Sequence, residues 1–126
     1  MRKIVVVGGS KGIGHAIVQS LIEENIVVNI SRTAPLQPHA NLTHYNCDIL
    51  TDDLPEIEAI DTLIYCPGSI NLKPIARLKL QDFREDFEIN VIGAVESCPV
   101  IVTNAVEFPT KGSSKVAVIL TVTSSA

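Results

Sequence analysis

The sequence lacks tryptophan, is poor in aromatic residues (4%) and holds only three cysteines. Its core must therefore be built from valine, isoleucine, leucine and alanine, as is usual for strands buried on both faces of a sheet. Cys47, Cys66 and Cys98 are odd in number, far apart and set in apolar surroundings. This pattern predicts reduced thiols in a cytoplasmic protein rather than a disulfide framework. Because neither Cys-x-x-Cys nor a histidine pair accompanies them, no metal site is predicted.

An excess of positive charge and long apolar runs are also absent. The formal net charge is −4, which argues against a general affinity for nucleic acid or for an anionic membrane. The apolar run Ile4–Val7 is too short for an export signal, and no run reaches the ~20 residues of a membrane span. With 46% apolar and 19% charged residues, the composition predicts one folded domain over residues 1–126.

Short apolar runs alternate with helical periodicity along the chain. The runs predict five strands, at Ile4–Val7, Ile26–Ile30, Leu42–Cys47, Thr62–Cys66 and Val116–Val122. Helical spacing follows the first run, and a longer helix is predicted with one apolar face of Leu80, Phe83, Phe87, Val91 and Ala94. A short acidic helix or turn is predicted over Thr51–Ile60, with Thr51 as its N-cap, and a kink or early end at Pro99. This alternation is typical of an α/β fold with helices on both faces of a parallel sheet.

Four glycines fall within seven residues where the first strand meets the first helix: Gly8, Gly9, Gly12 and Gly14. A bare turn at a helix N-terminus presents unpaired N–H groups and a partial positive charge to a phosphate. The spacing Gly8-x-x-x-Gly12-x-Gly14 matches neither Gly-x-Gly-x-x-Gly nor the Walker A pattern. The alternative is a tight turn without a ligand. Because dense glycines cost backbone entropy, the pattern favours a nucleotide.

No carboxylate follows the second strand, where a dinucleotide-binding unit places the Asp or Glu that binds the adenosine ribose. Ser31, Arg32 and Thr33 stand there instead, and Lys11 lies within the glycine turn. An arginine binds phosphate through two N–H groups, so the two cations favour NADP over NAD. The alternative interpretation is a pair of solvated surface cations.

These features together resemble the short-chain dehydrogenase/reductase family along the whole chain. The glycine turn is similar to the family's glycine motif, and Asn46-Cys47-Asp48 to the segment whose Asp contacts adenine. Tyr65-Cys66-Pro67-Gly68 stands where the family has Asn-Asn-Ala-Gly, with only the glycine shared. Residues 87–93 resemble the helix segment with the family's structural and catalytic Asn, and residues 121–126 the strand end with its catalytic Ser.

The resemblance implies a Rossmann-like, doubly wound parallel sheet in three layers with strand order 3-2-1-4-5, incomplete at its C-terminal side. The residues it implies for binding NADP(H) are Gly8, Ser10, Lys11, Gly12, Ile13, Gly14, Ser31, Arg32, Thr33, Asp48, Cys66 and Gly68. Asn90 is implied to hold a water in a proton relay, and Ser125, or Ser124 if the register slips by one, to polarise the substrate carbonyl. The alternatives for Asp48, Asn90 and the serines are a turn cap, a helix-surface amide and a loop start.

The family's catalytic Tyr, with a Lys four residues later, has no counterpart in the sequence. Tyr45 and Tyr65 are followed four residues on by Ile49 and Ser69. We therefore expect the chain to be the cofactor-binding portion of a longer enzyme, inactive alone, that transfers hydride between NADP(H) and a small carbonyl or alcohol substrate. The alternatives are a non-catalytic dinucleotide-binding or redox-sensing module and a structural fragment without a ligand. The resemblance also implies a dimer or tetramer of the full-length form.

Overall fold

The computed structural model describes residues 1–35, 37–97 and 117–120. Its strands are β1 (Lys3–Val7), β2 (Ile26–Ser31), β3 (Leu42–Asn46), β4 (Thr62–Tyr65) and β5 (Ala117–Leu120). Its helices are α1 (Gly12–Leu21) and α2 (Leu80–Phe87), preceded by a 3₁₀ turn at Ile75–Arg77. A π-helical turn, Glu88–Ile92, extends α2 into one more helical turn at residues 93–97.

The five strands form one parallel sheet in the order β3-β2-β1-β4-β5. At the centre of the sheet, Val5 pairs with Val28 on one side and Leu63 on the other. The chain proceeds outward from β1 in one direction and then, from β4, in the other, so the order reverses between β1 and β4. This confirms the predicted doubly wound sheet, and such a reversal point is where open α/β sheets place their ligands.

The two faces of the sheet are covered differently. Val18 and Ile22, from α1 and its end, pack on the face that includes Val6. On the other face, Ile57, Ile60 and Ala94 join the strand residues around Val5 and Leu63. Burial on both faces explains why β1, β2 and β4 are largely continuous apolar runs, whereas β3, at the edge of the sheet, is mostly exposed.

The Cys47 thiol is free and buried, as predicted, and Cys66 is buried as well. They contribute to opposite faces of the sheet, Cys47 to the face with Ala94 and Cys66 to the face with α1. Cys98 lies outside the described residues.

The helix considered for Thr51–Ile60 does not form, and the expectation that Thr51 caps it is wrong. The chain makes a turn over residues 49–52 and then runs irregularly to residue 61. Pro55 in the middle of this segment removes a helical hydrogen bond and clashes with the preceding turn. The buried Ile57 and Ile60 instead anchor the irregular segment on the sheet.

The apolar face expected for α2 points largely to solvent among the described residues. Leu80, Phe83, Phe87 and Val91 are 65%, 58%, 55% and 40% exposed, whereas Ala94 is buried in the core. The side of the helix that contacts the protein is polar, because its carboxylates and amide bind the loop that follows β4. The irregularity expected at Pro99 falls outside the described residues, and the described break in α-helical geometry is the π turn.

Candidate functional site

The loops that follow β1, β2, β3 and β4 surround a cavity of about 640 Å³ at the carboxyl edge of the sheet. Eight of the sequence-predicted residues line it: Gly8, Ser10, Lys11, Ser31, Arg32, Thr33, Asp48 and Gly68. Side chains of α2 and its π turn, Glu85 and Ile89, close another side. The structure thus brings together groups that lie as far apart in the sequence as Gly8 and Ile89.

The glycine turn has the backbone geometry that its composition requires. Gly8 and Gly12 have φ angles of +80° and +57°, in the left-handed region that favours glycine. Gly14 is buried directly behind the turn, where an added Cβ would lie 2.1 Å from the Gly8 carbonyl oxygen. The helix therefore starts against β1, and no side chain caps its first N–H groups. Gly12, Ile13 and Gly14 shape this turn without lining the cavity.

Asn29 is a site residue that the sequence interpretation counted only as part of an apolar strand. Its side chain is fully buried on β2. Its Oδ1 accepts the Gly9 N–H at 2.9 Å, and its Nδ2 lies 3.0 Å from Ser10 Oγ and 3.1 Å from Ser31 Oγ. One amide thus joins the glycine turn to the loop after β2. The available signal was a lone amide in a buried strand, since a buried polar group needs partners.

The hydroxyls of Ser10 and Ser31 contact each other, and both donate to the Thr33 carbonyl. Lys11 and Arg32 are exposed at the same edge of the cavity, and neither takes part in the ion pairs of the described residues. The arrangement provides two exposed cations beside two hydrogen-bonded hydroxyls, which suits a doubly charged anion.

Asp48 lines the cavity and also caps a turn. Its Oδ1 accepts the Leu50 N–H at 3.0 Å, and its own N–H donates to Asp52 Oδ2 at 2.8 Å. Asp48 therefore both caps a turn, as the alternative interpretation held, and lines the cavity. Burial and the Asp52 carboxylate raise the pKa of the adjacent Cys47 thiol, so this thiol is protonated and a poor nucleophile.

Asn90 holds the loop after β4 by both ends of its amide. Its Oδ1 accepts the Ser69 N–H at 2.9 Å, and its Nδ2 donates to the Ser69 carbonyl at 2.7 Å. One turn earlier, Asp86 accepts the Ser69 hydroxyl at 2.8 Å and the Asn71 N–H at 2.9 Å. Asn90 is thus no free helix-surface amide, because it fixes a residue of the cavity lining.

Asp82 continues this polar stripe of α2 toward its N-terminus. It accepts the Lys73 ammonium at 2.6 Å and the Lys79 N–H at 2.9 Å. The hydrogen bond from Lys73, supported by the one from the Lys79 backbone, lowers the pKa of Asp82 below its ordinary value. Asp82, Asp86 and Asn90 lie four residues apart, so successive turns of one helix side hold the loop.

No curated protein sequence matches the chain. The sequence does match the family model of short chain dehydrogenases over residues 2–126. The chain belongs to the short-chain dehydrogenase family.

Several solved structures share the fold of this short-chain dehydrogenase chain. A carbonyl reductase from Pseudomonas aeruginosa PAO1 is 19% identical with a TM-score of 0.72, over 83% of this chain and 57% of the other. A short chain dehydrogenase from Leptospira borgpetersenii with bound NAD⁺ is 18% identical with a TM-score of 0.68, over 79% and 44%. A putative short-chain dehydrogenase/reductase from Burkholderia multivorans with bound NADP is 18% identical with a TM-score of 0.65, over 83% and 54%. The chain thus spans about half the length of these structures.

In this short-chain dehydrogenase, Tyr65 occupies the position that the resemblance gives to the family's first Asn of Asn-Asn-Ala-Gly. The Tyr65 hydroxyl donates to the Ile89 carbonyl at 2.6 Å, while the Gly93 N–H bonds to the Glu88 carbonyl. In an α-helix that N–H would bind the Ile89 carbonyl. The hydroxyl therefore takes over the carbonyl that the π turn releases.

The remaining predicted residues are placed as follows. Cys66 packs in the apolar cluster on the α1 face rather than in the cavity lining. Pro67, which follows it, lines the cavity, and its ring lies 3.2 Å from the position of a Cβ on Gly8. Ser124 and Ser125 lie outside the described residues. Within residues 1–35, 37–97 and 117–120, no helix has the length and apolar character needed to cross a membrane.

Proposed function

We propose that the chain is the cofactor-binding part of an NADP(H)-dependent oxidoreductase that acts on a small carbonyl or alcohol substrate. The observation that carries the proposal is the meeting of the glycine turn with Ser31, Arg32, Thr33 and Lys11 at one edge of one cavity. Family membership supports the reaction class. The bound NAD⁺ and NADP of two structural neighbours support a nicotinamide dinucleotide.

The residues of the cavity fit such a cofactor by their chemistry. The uncapped start of α1 offers N–H groups and a partial positive charge to the diphosphate. Ser31, Arg32 and Thr33, with Lys11, offer donors and positive charge to the 2′-phosphate. Asp48, which also lines the cavity, is proposed to contact adenine. The ribose is proposed to lie along residues 66–68. When bound, the nicotinamide supplies or accepts the hydride.

The catalytic roles are proposed from the family resemblance. Asn90, in the π turn, would hold a water for proton transfer, and Ser125 or Ser124 would polarise the substrate carbonyl. The fixed position of the Asn90 amide supports its role in positioning the cavity wall. Because neither Tyr45 nor Tyr65 is followed by Lys four residues later, we propose that these 126 residues alone bind cofactor without turnover.

The test compares NADPH and NADH affinity by fluorescence titration of the unmodified chain and of Arg32→Asp. A charge-assisted phosphate contact contributes roughly tenfold or more to affinity, so NADPH binds at least about tenfold more tightly than NADH. Arg32→Asp narrows or reverses this difference. Arg2→Asp is the matched control, because Arg2 is also exposed but lies before β1, at the opposite edge of the sheet. Equal affinities in the unmodified chain would refute the NADP assignment.

A second candidate function is a non-catalytic dinucleotide-binding or redox-sensing module. The observation that favours it is Tyr65-Cys66-Pro67-Gly68, in which three of the family's four residues are replaced. NADPH consumption in the presence of generic aldehydes and ketones, followed by absorbance, separates the two functions. Sustained consumption by the purified chain excludes the module. Binding without consumption is expected of these 126 residues under both functions, and consumption by the full-length protein then decides between them.

We also propose that the full-length form is a homo-oligomer. The exposed apolar residues of α2, Leu80, Phe83 and Phe87, form a surface that a second copy could bury. Light scattering of the purified full-length protein measures its mass directly, and a monomer at all concentrations contradicts this proposal.

A further inference from the structure

The orientation of the Asn29 amide is fixed by a backbone donor. The Gly9 N–H faces the side chain at 2.9 Å, and an N–H group requires an acceptor there. Oδ1 must therefore point to Gly9, and Nδ2 must point to the opposite side, toward Ser10 and Ser31. Because the amide is fully buried, these protein partners replace water.

This orientation determines how the two serine hydroxyls use their hydrogens. Nδ2 donates toward Ser10 Oγ at 3.0 Å and Ser31 Oγ at 3.1 Å, with His44 Nδ1 as a third neighbour at 3.2 Å. Each hydroxyl oxygen accepts from the amide, so each hydroxyl hydrogen must turn elsewhere. Both hydroxyls, which also contact each other, donate to the Thr33 carbonyl at the cavity edge, the Ser31 hydroxyl at 2.7 Å. A bound phosphate would take these hydrogens over from that carbonyl.

A phosphate only accepts hydrogen bonds, whereas a ribose hydroxyl both donates and accepts. We propose that Asn29 is a specificity-determining positioning residue: it donates to the oxygens of Ser10 and Ser31, so that their hydrogens stay available to turn from the Thr33 carbonyl to the 2′-phosphate of NADP(H). This inference rests on the proposed function and adds to it a residue outside the cavity lining. It acts through the hydroxyls and touches no cofactor atom itself.

The same contact explains a glycine that the motif spacing does not require. A Cβ on Gly9 would lie 2.6 Å from Asn29 Oδ1 and 2.8 Å from Val18 Cγ2. Any side chain at position 9 would push the amide away from the turn. Gly9 therefore provides the close approach that lets Asn29 hold its orientation.

The decisive variant is Asn29→Asp, which keeps the shape and the acceptor for the Gly9 N–H but replaces the N–H₂ donor by an acceptor. The hydroxyls of Ser10 and Ser31 then turn their hydrogens to the carboxylate and away from the ligand. We expect the ratio of NADPH to NADH affinity to fall at least about tenfold, because donors to a charged group are lost. The affinity ratio of adenosine 2′,5′-bisphosphate to AMP should fall by the same factor, since this pair differs only in the 2′-phosphate.

A double-mutant comparison separates an effect through the hydroxyls from simple charge repulsion. In a Ser10→Ala/Ser31→Ala background, Asn29→Asp has no hydroxyl to reorient, so the ratio should change much less than in the unmodified background. An equal fall in both backgrounds would show a charge effect only and overturn the proposal. Thermal melting by circular dichroism verifies that each variant is folded.

The remaining outcomes are also decisive. If Asn29→Asp does not fold, Ser10→Ala/Ser31→Ala alone must lower the NADPH to NADH ratio, and an unchanged ratio overturns the inference. If the unmodified chain prefers NADPH and Asn29→Asp leaves that preference intact, the inference fails while the proposed function stands. If the unmodified chain binds neither dinucleotide, both fail together.

Discussion

Replacement of Gly14 by alanine tests whether the start of α1 must lie against β1. The added Cβ would stand 2.1 Å from the Gly8 carbonyl oxygen and 2.9 Å from its carbonyl carbon. Real Cβ atoms essentially never approach another heavy atom closer than 3.0 Å, so the two backbones must separate by about 1 Å. Both contacting atoms belong to the backbone, and no side-chain rotation relieves the clash.

The destabilisation expected for Gly14→Ala depends on the side chains that move with α1 when it shifts away from β1. Overpacking a tight site costs about 1–3 kcal/mol, and the shift also withdraws Val18 and Ile22 from the α1-face cluster. Each of these side chains contributes about 1.5–3 kcal/mol when fully buried, and a partial loss is enough. We expect Gly14→Ala to destabilise the fold by at least about 3 kcal/mol. For 126 residues, which lie between the size classes with Tm shifts of about 2–4 °C and 4–8 °C per kcal/mol, that corresponds to a fall in Tm of roughly 12 °C.

Gly12→Ala is the matched control, because no atom lies within 4 Å of its added Cβ and only its φ of +57° opposes a side chain. The left-handed conformation costs alanine about 1–2 kcal/mol, and Gly12→Asn should cost less. Urea unfolding followed by far-ultraviolet circular dichroism gives the three free energies of unfolding. The steric explanation is refuted if the free energy of unfolding of Gly14→Ala lies within about 0.5 kcal/mol of that of the unmodified chain. It is also refuted if Gly12→Ala destabilises the fold more than Gly14→Ala does.

Two further variants address the loop after β4 and the π turn. Tyr65→Phe leaves the Ile89 carbonyl without the hydroxyl, and we expect a loss of about 1–2 kcal/mol in urea unfolding, against little change for the exposed Tyr45→Phe. Hydrogen bonds from Lys73 and from the Lys79 backbone hold the pKa of Asp82 in the folded protein below its ordinary value of 3.8. The contribution of ionised Asp82 to the free energy of unfolding is therefore complete above pH 3.8 and is lost as the pH falls through the lowered pKa. Asp82→Asn should thus be less stable than the unmodified chain at neutral pH only. A difference that persists in strong acid contradicts this.

The strands could be predicted to within one residue where burial on both faces left a single interpretation. The predicted Ile26–Ile30 is observed as Ile26–Ser31, and the predicted Thr62–Cys66 as Thr62–Tyr65. The prediction of a helix over Thr51–Ile60 was wrong. Acidic residues and a possible N-cap favour a helix there, whereas Pro55 and the two buried isoleucines favour an irregular segment anchored on the sheet. Local propensity was the weaker effect there, since the core gains more from the isoleucines than one helical turn contributes.

The cavity could be predicted because parallel strands bring their carboxyl ends to one edge of a sheet. Once the strand order is given, Gly8, Arg32, Asp48 and Gly68 have to meet there. Asn29 was missed because, apart from Ser31, its partners lie on the glycine turn and on β3, and no local pattern connects positions 15 to 20 residues apart. A polar residue inside a buried strand indicates that hydrogen-bond partners exist, but only the tertiary structure identifies them.

The orientation of α2 shows what periodicity leaves open. Its sequence carries an apolar stripe and a polar stripe at the same helical spacing, and a globular helix ordinarily buries the apolar one. Here the loop from Ser69 to Lys79 presents backbone N–H groups to the helix, and Asp82, Asp86 and Asn90 accept them. Leaving such part-buried donors without partners costs up to about 1–3 kcal/mol each, so three of these contacts together offset much of what burial of the apolar stripe would contribute. The helix therefore turns its acceptors inward, and the apolar stripe with Phe83 and Phe87 is left on the outside.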